Sequence, residues 1–373
     1  EGAAATAAVA AAAAAAASES VNMKPPTVGE AIQTRERIRS MFDHGYSSYM
    51  SHAFPEGDLN PLSCRGEPFD LIKIPLVTLI DSLDTLVIMG NHSEFRRAVS
   101  RVSEFYSSFD QDVNVSVFET TIRVMGGLLS AHLMAIDENI GIYDDEVYDG
   151  NLLLLAEDLG ERLLPAFQTN TGIPYGTVNL RYGVPRGETE IASTAGAGSL
   201  VVEFGVLSSL TGKRKFGDAA YGAMKALFDR RSSIGLLGKH IHTDTGRWFE
   251  SVSGIGSNSD SFYEYLLKAY LLFRRKELYG MFSDAYASIK KFVQVGDWFS
   301  DVDMFNGKLR RNRVENLHAF WPGMEATLGF SGRGARQLNS FYSVWTSLGY
   351  LPEEFDNVEW EKGKSSMHPY YPL

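Results

Sequence analysis

A single cysteine, Cys64, stands in 373 residues, which excludes an internal disulfide. A lone cysteine is more often an inert side chain than a nucleophile. Basic charge is also in deficit. With 35 Lys and Arg against 46 Asp and Glu, the chain carries −11, which excludes the clustered cations that a nucleic acid requires. No P-loop, dinucleotide fingerprint, zinc-ligand spacing or Ser-His-Asp motif occurs. The eight histidines are scattered singly and read as ordinary surface or core residues. After the first residues, no run reads as long and apolar enough to span a bilayer.

What is present is material for a core. Hydrophobic residues make up 44 % and aromatics 12 %, which excludes a mostly disordered chain. The chain opens on Glu1, and Gly2 to Ala17 are almost all alanine, relieved by Thr6 and Val9. That run reads as low-complexity sequence or the remnant of a signal or anchor, with the natural N-terminus expected upstream. Ser18–Thr34 is polar with paired prolines and reads as a linker, so residues 1–34 precede a folded unit at 35–373. Sequons at Asn91 and Asn114 are no more than chance provides, and alone say little about secretion.

Apolar spacing predicts helices over Arg35–His52, Thr78–Met89, Phe95–Ser108, Val117–Ala135, Tyr148–Leu164 and Ala197–Leu210. It predicts five more over Phe216–Arg231, Asp260–Phe273, Leu278–Gln294, Val314–Leu328 and Ala335–Leu348. No long alternating run appears, so the chain is all-α. Glycine-bearing turns at Thr171–Tyr175, Thr194–Gly198 and Gly254–Ser257 alternate with short connections. Such helix pairs fit an α-solenoid or a closed α/α barrel, and the lack of a sequence repeat favours the barrel.

Carboxylates are the residues that could carry chemistry. Glu119 and Arg123 stand four apart on one helical face, either as a surface ion pair or as a partly buried acid among Val117, Phe118, Ile122 and Val124. Asp260 sits where a helix N-cap belongs, yet Phe262, Tyr263 and Tyr265 follow it, and sugar rings stack on aromatic faces. Glu264 follows four residues later, within reach of the same cavity. Asp81 and Asp84 lie in an apolar helix, where one of them is expected to face the core. Glu203 has the same ambiguity, and Glu353 lies on a turn near the chain end. Paired carboxylates in an aromatic-lined helical barrel suggest a glycosidase.

These segments resemble glycoside hydrolase family 47, the class I α-1,2-mannosidases, and within it the ER degradation-enhancing α-mannosidase-like branch. The resemblance runs through Met41–Tyr46, Ala53–Pro55, Pro61–Gly66, Thr78–Leu86, Ser116–His132 and Leu163–Leu180. It continues through Thr194–Gly212, Gly254–Ala269, Phe320–Gly323 and His368–Leu373. It implies an (α/α)7 barrel with calcium at its floor and hydrolysis with inversion. By motif, Glu119, Asp260 and Glu353 fall on catalytic acid positions, while Arg123, Glu203, Glu264 and Asp81 fall around the sugar. The family's base follows the Tyr-Pro-Leu motif, and a threonine further on binds calcium. Both are expected beyond Leu373, so the barrel is expected to lack its last helices and no calcium ligand is assigned here. Cys64 matches a cysteine whose partner is expected in the same missing part, which leaves an oxidoreductase as a candidate partner.

The resemblance implies a lumenal protein of the endoplasmic reticulum or secretory pathway. It would remove terminal α-1,2-linked mannose from N-glycans of misfolded glycoproteins bound for degradation. The alternatives are a mannose- or client-binding module without catalysis, or a truncated product with no stable function.

Overall fold

The computed structural model describes residues 26–143 and 147–358 and the backbone of residues 367 and 368. The alanine run and the final Pro369–Leu373 motif lie outside the described residues. Among the described residues helix accounts for 55 % and strand for 12 %. All the strands among the described residues are two or three residues long.

Helix α1 spans Val28–His52, opening seven residues before the expected start. Thr27 and Glu30 close a reciprocal capping box there, which gives the helix its own start signal. A hairpin of β1 (Asp58–Asn60) and β2 (Arg65–Glu67) follows, with Cys64 exposed just before β2. The expected Thr78–Met89 helix is two short ones, α2 (Val77–Asp81) and α3 (Leu83–Ile88), joined at Ser82. Ser82 turns its hydroxyl back onto the Thr78 carbonyl at 2.6 Å, a bond that competes with the helical ladder. Helix α4 (His92–Phe105) buries Phe95, Ala98, Val99 and Val102, an i, i+3, i+4, i+7 stripe.

Strand β3 (Asn114–Ser116) feeds α5 (Val117–Glu119), a π turn over Thr120–Met125, and α6 (Gly126–Ala135) in one continuous helical path. α7 spans Asn151–Leu163, and β4 (Thr177–Asn179) pairs antiparallel with β3. β5 (Ile191–Ser193) leads into α8 (Thr194–Gly198), α9 (Val201–Thr211) and α10 (Arg214–Asp229). Thr194–Gly198, expected as a turn, is thus helical, capped by the Ser193 hydroxyl, which accepts from the Gly196 amide at 2.9 Å.

β6 (His240–His242) pairs with β5, and β7 (Val252–Ser253) precedes α11 (Asp260–Phe273) and α12 (Lys276–Phe292). Then come β8 (Gln294–Val295), β9 (Trp298–Phe299), β10 (Asp301–Asp303), β11 (Leu309–Arg311) and β12 (Arg313–Glu315). Helices α13 (Trp321–Thr327) and α14 (Ser331–Leu348) and strand β13 (Glu354–Asp356) complete the described elements that matter here. The expected Val314–Leu328 helix therefore begins as a strand. β12 pairs antiparallel with β13, and a 3₁₀ turn over Asn316–Phe320 separates it from α13.

Two kinds of helix alternate. α4, α10 and α12 are amphipathic, whereas α6 and α9 are apolar on nearly every side and pass through the core. Consecutive helices pack in pairs, α6 on α7, α9 on α10, α11 on α12 and α13 on α14. The inner members share one continuous core running from Tyr49 to Met324. Strands β3, β5 and β7 precede α5, α8 and α11 along the chain.

Thr194–Thr211 is long and apolar enough, by length and composition, to cross a membrane, which the sequence reading did not anticipate. The stretch is broken between α8 and α9, and half of it is buried inside the fold. It also carries the buried Glu203. These are the marks of a core helix.

Candidate active site

The π turn sets the first part of the site. Ser116 accepts from the Glu119 amide at 3.3 Å and anchors the start of α5. Arg123 Nε donates to Glu119 Oε2 at 2.8 Å, and Arg123 Nη1 lies 3.4 Å from Asp81 Oδ2. The Arg123 guanidinium also lies over the Phe69 ring, 5.2 Å from its centre. Glu119 keeps 16 % of its side chain exposed and Asp81 44 %. Arg123 therefore holds two carboxylates at a solvent-accessible edge of the core, neither sealed in it. The core-facing expectation for the aspartate pair falls on neither residue fully, since Asp84 is half-buried and accepts from Ser130 at 2.9 Å.

The helix behind is drawn in close by a glycine. A methyl on Gly127 would stand 2.7 Å from the Ile80 carbonyl, so α6 packs backbone to backbone on α2. The neighbouring Gly126 faces Glu203 of α9. Glu203 is buried, and its Oε1 accepts from the Tyr265 hydroxyl at 2.8 Å. Burial pushes the Glu203 carboxyl up to about 7, with Tyr265 pulling the other way.

Asp260 opens α11. The N-cap position belongs to Ser259, so the capping role expected for Asp260 is not its own. Burial raises its carboxyl to about 6, against the pull of the Ser261 and Asp260 amides. The charges of Glu264 and Glu315 push the same way as burial. Glu264 itself pairs with Lys268 at 2.9 Å. The aromatics beside Asp260 do not form a stacking platform. Phe262 and Tyr263 are fully buried in the core, and only Tyr265 remains partly open.

Helix α8 ties these parts together. Gly196 faces Phe118, the neighbour of Glu119, and a methyl on Gly198 would run into the Phe262 ring. Ala195 donates its amide to the Asn258 carbonyl at 2.8 Å, and Ser199 donates to Ser261 at the same distance. The Glu119 and Asp260 helices thus lean on opposite sides of one five-residue helix. Glu353 arrives by its backbone, its carbonyl accepting from the Asn316 amide at 2.8 Å beside the β12–β13 pair. Its side chain is half-buried.

Sequence reasoning missed a buried set of Lys239, Asp301, Glu315 and His318 behind the Asp260 loop. Glu315 was hidden inside an expected helix, and the Arg-Val-Glu alternation of β12 was the one signal of a strand.

The model of Glycosyl hydrolase family 47 matches residues 41–370. The chain belongs to glycosyl hydrolase family 47. It is 46 % identical over 327 residues to alpha-mannosidase I MNS4 of Arabidopsis thaliana, covering 88 % of this chain and 52 % of that one. It is 45 % identical over 322 residues to human ER degradation-enhancing alpha-mannosidase-like protein 2, covering 86 % and 55 %. The chain therefore spans about half the length of the curated relatives it matches. Among solved structures, an alpha-1,2-mannosidase from Trichoderma reesei superposes with a TM-score of 0.74 at 26 % identity, over 87 % of this chain and 71 % of that one. The helical architecture is that of the family's (α/α)7 barrel.

Family 47 enzymes generally depend on calcium. Among the described residues, no group of three or more His, Cys, Asp and Glu could hold a metal ion.

Proposed function

We propose that this family 47 chain acts on terminal α-1,2-linked mannose of high-mannose N-glycans on misfolded glycoproteins, within the endoplasmic reticulum. The names of its relatives supply the substrate class and the compartment. What supports the reading is that Phe118 beside Glu119 packs on Gly196 of α8, Ser261 beside Asp260 bonds Ser199 at its end, and Glu203 stands between Gly126 and Tyr265. Hydrolysis with inversion needs one carboxylic acid to protonate the departing oxygen and a second carboxylate to activate water on the opposite face.

In this reading Glu119 gives the proton, with Arg123 fixing the direction of its Oε2 and Asp81 helping to hold Arg123. Asp260, whose carboxyl burial raises to about 6, positions the water or shares the acid role in this reading. Glu203 and Glu264 border the sugar, and Glu353 is the third catalytic acid. Calcium, where it binds, supplies hard-cation contacts to sugar hydroxyls.

The test is release of mannose from a nine-mannose glycan, followed by mass spectrometry, for the full chain and for Glu119→Gln. Loss of about 10²–10⁴-fold in turnover is expected, the usual worth of a general acid. Unchanged turnover removes Glu119 from the role. Glycan binding by the wild-type chain with no mannose released at any protein concentration replaces hydrolysis with a binding function.

A further inference from the structure

Behind the Gly254–Ser259 loop lie charges that the proposed chemistry does not use. Lys239, Asp301, Glu315 and His318 are all buried, and they come from three separate places in the chain. Lys239 Nζ stands 3.1 Å from Asp301 Oδ1 and 3.9 Å from Glu315 Oε1. Glu315 Oε2 accepts from the Ser257 amide at 2.7 Å. A methyl on Gly256 would sit 2.5 Å from that same oxygen and 2.6 Å from His318 Nε2, so the loop lies flat on these side chains. Its other side is fixed by the Ala195 amide on the Asn258 carbonyl, with Asn258 in the left-handed region at φ 71°. The loop ends in the Asp260 amide, which donates to the Gly256 carbonyl at 3.0 Å.

A buried ion pair adds little net stability compared with apolar packing of the same volume. Fold stability alone therefore does not account for one placed under this loop. We propose that Glu315, balanced by Lys239, is a positioning residue that holds the Ser257 amide and thereby sets the place and the charge environment of Asp260. The inference rests on the reading of Asp260 as part of the sugar site.

The electrostatics agree with the geometry. Burial works against the Glu315 charge, but the Ser257 amide and Lys239 outweigh it and keep the carboxylate ionised. Burial holds His318 well below the ordinary imidazole range, so at neutral pH it brings no cation to offset Glu315. Around Asp260, Glu264 on its own helix and Glu315 from β12 both oppose its ionisation. Lys239, Asp301 and Arg313 stand around Glu315 itself.

The experiment uses the full chain with ¹³C-carboxyl-labelled aspartate, the Asp260 signal being assigned with Asp260→Asn. Glu315→Gln keeps an acceptor for Ser257 and removes the charge. It should leave Ser257 amide exchange as in the wild type and lower the Asp260 midpoint by about half a pH unit or more. Glu315→Ala removes both and should also speed Ser257 exchange at least about tenfold. If Glu315→Ala does not fold, the Glu315→Gln titration decides alone. An Asp260 midpoint unmoved in Glu315→Gln overturns the proposal, as does unchanged Ser257 exchange in a folded Glu315→Ala. Mannose release unaffected by Asp260→Asn would sink the sugar-site reading instead, and the two NMR readouts would still decide the part played by Glu315.

Discussion

Tyr265 donates its hydroxyl to Glu203 Oε1 at 2.8 Å between α11 and α9, and Glu203 Oε2 is buried with no partner among the described residues. A carboxyl held this way is more easily protonated than ionised, and its value of about 7 lies above the ordinary 4.5. The folded state therefore holds a proton that the unfolded chain has released between those two values. Stability is greatest below about pH 4.5 and falls as pH rises through about 7.

Glu203→Gln should remove that fall while keeping an acceptor for Tyr265. Urea unfolding at pH 8 should show the variant more stable, up to an order of 3 kcal/mol, the linkage worth of the shift. At pH 4.5 the two proteins should differ little. A variant less stable than the wild type at both pH values would mean that Glu203 is not a strained acid.

Asp260 sits at about 6, again raised mainly by burial. If its ionised form works on the water side, kcat/KM should climb with pH through a limb near 6, because that parameter reports the free enzyme. Asp260→Asn should lose both the activity and the limb. A limb that survives this substitution belongs to another group.

Two glycines should respond in opposite directions. Gly127→Ala must push a methyl to within 2.7 Å of the Ile80 carbonyl, and backbone cannot step aside cheaply. A loss of about 1–3 kcal/mol is expected from this overpacking. Gly222→Ala, on the exposed face of α10 with open space around it, should gain about 0.5–1 kcal/mol from helix propensity. Chemical denaturation of both variants checks the contrast.

Glu325 is fully buried and accepts from Trp321 Nε1 at 3.0 Å, Tyr286 at 2.9 Å and Arg333 Nε at 2.9 Å, with Lys290 3.4 Å away. Glu325→Ala strands two cations near the α13–α14 pair, at a cost of about 3–5 kcal/mol. The measurement is again denaturant unfolding, with Arg333→Ala alongside it. If Glu325→Ala loses less than 1 kcal/mol, water must be reaching Arg333 and Lys290.

Much of this molecule was legible in the chain because helix periodicity is a local property. α11 opens at Asp260 and closes at Phe273 as the apolar spacing predicts, and α4, α10 and α12 shift by only a few residues. The Glu119–Arg123 pair was legible too, since four residues on one helix share a face wherever the helix goes. β12 was not, because its pairing partner β13 lies about forty residues further on, and three alternating residues are too short a mark to outweigh the helical spacing around them. Phe262 and Tyr263 misled for a related reason. An aromatic residue looks the same in sequence whether its face meets a sugar or the core.

The sequence by itself determined the helical class, the family and which carboxylates stand on helix faces, since each depends on neighbours within a few residues or on whole motifs. Only the tertiary structure decided which acids are buried, that Tyr265 serves Glu203, and that Lys239 and Glu315 lie beneath the Asp260 loop. Those outcomes turn on desolvation and charge between segments tens of residues apart, where distance in space, and not spacing along the chain, sets the energy.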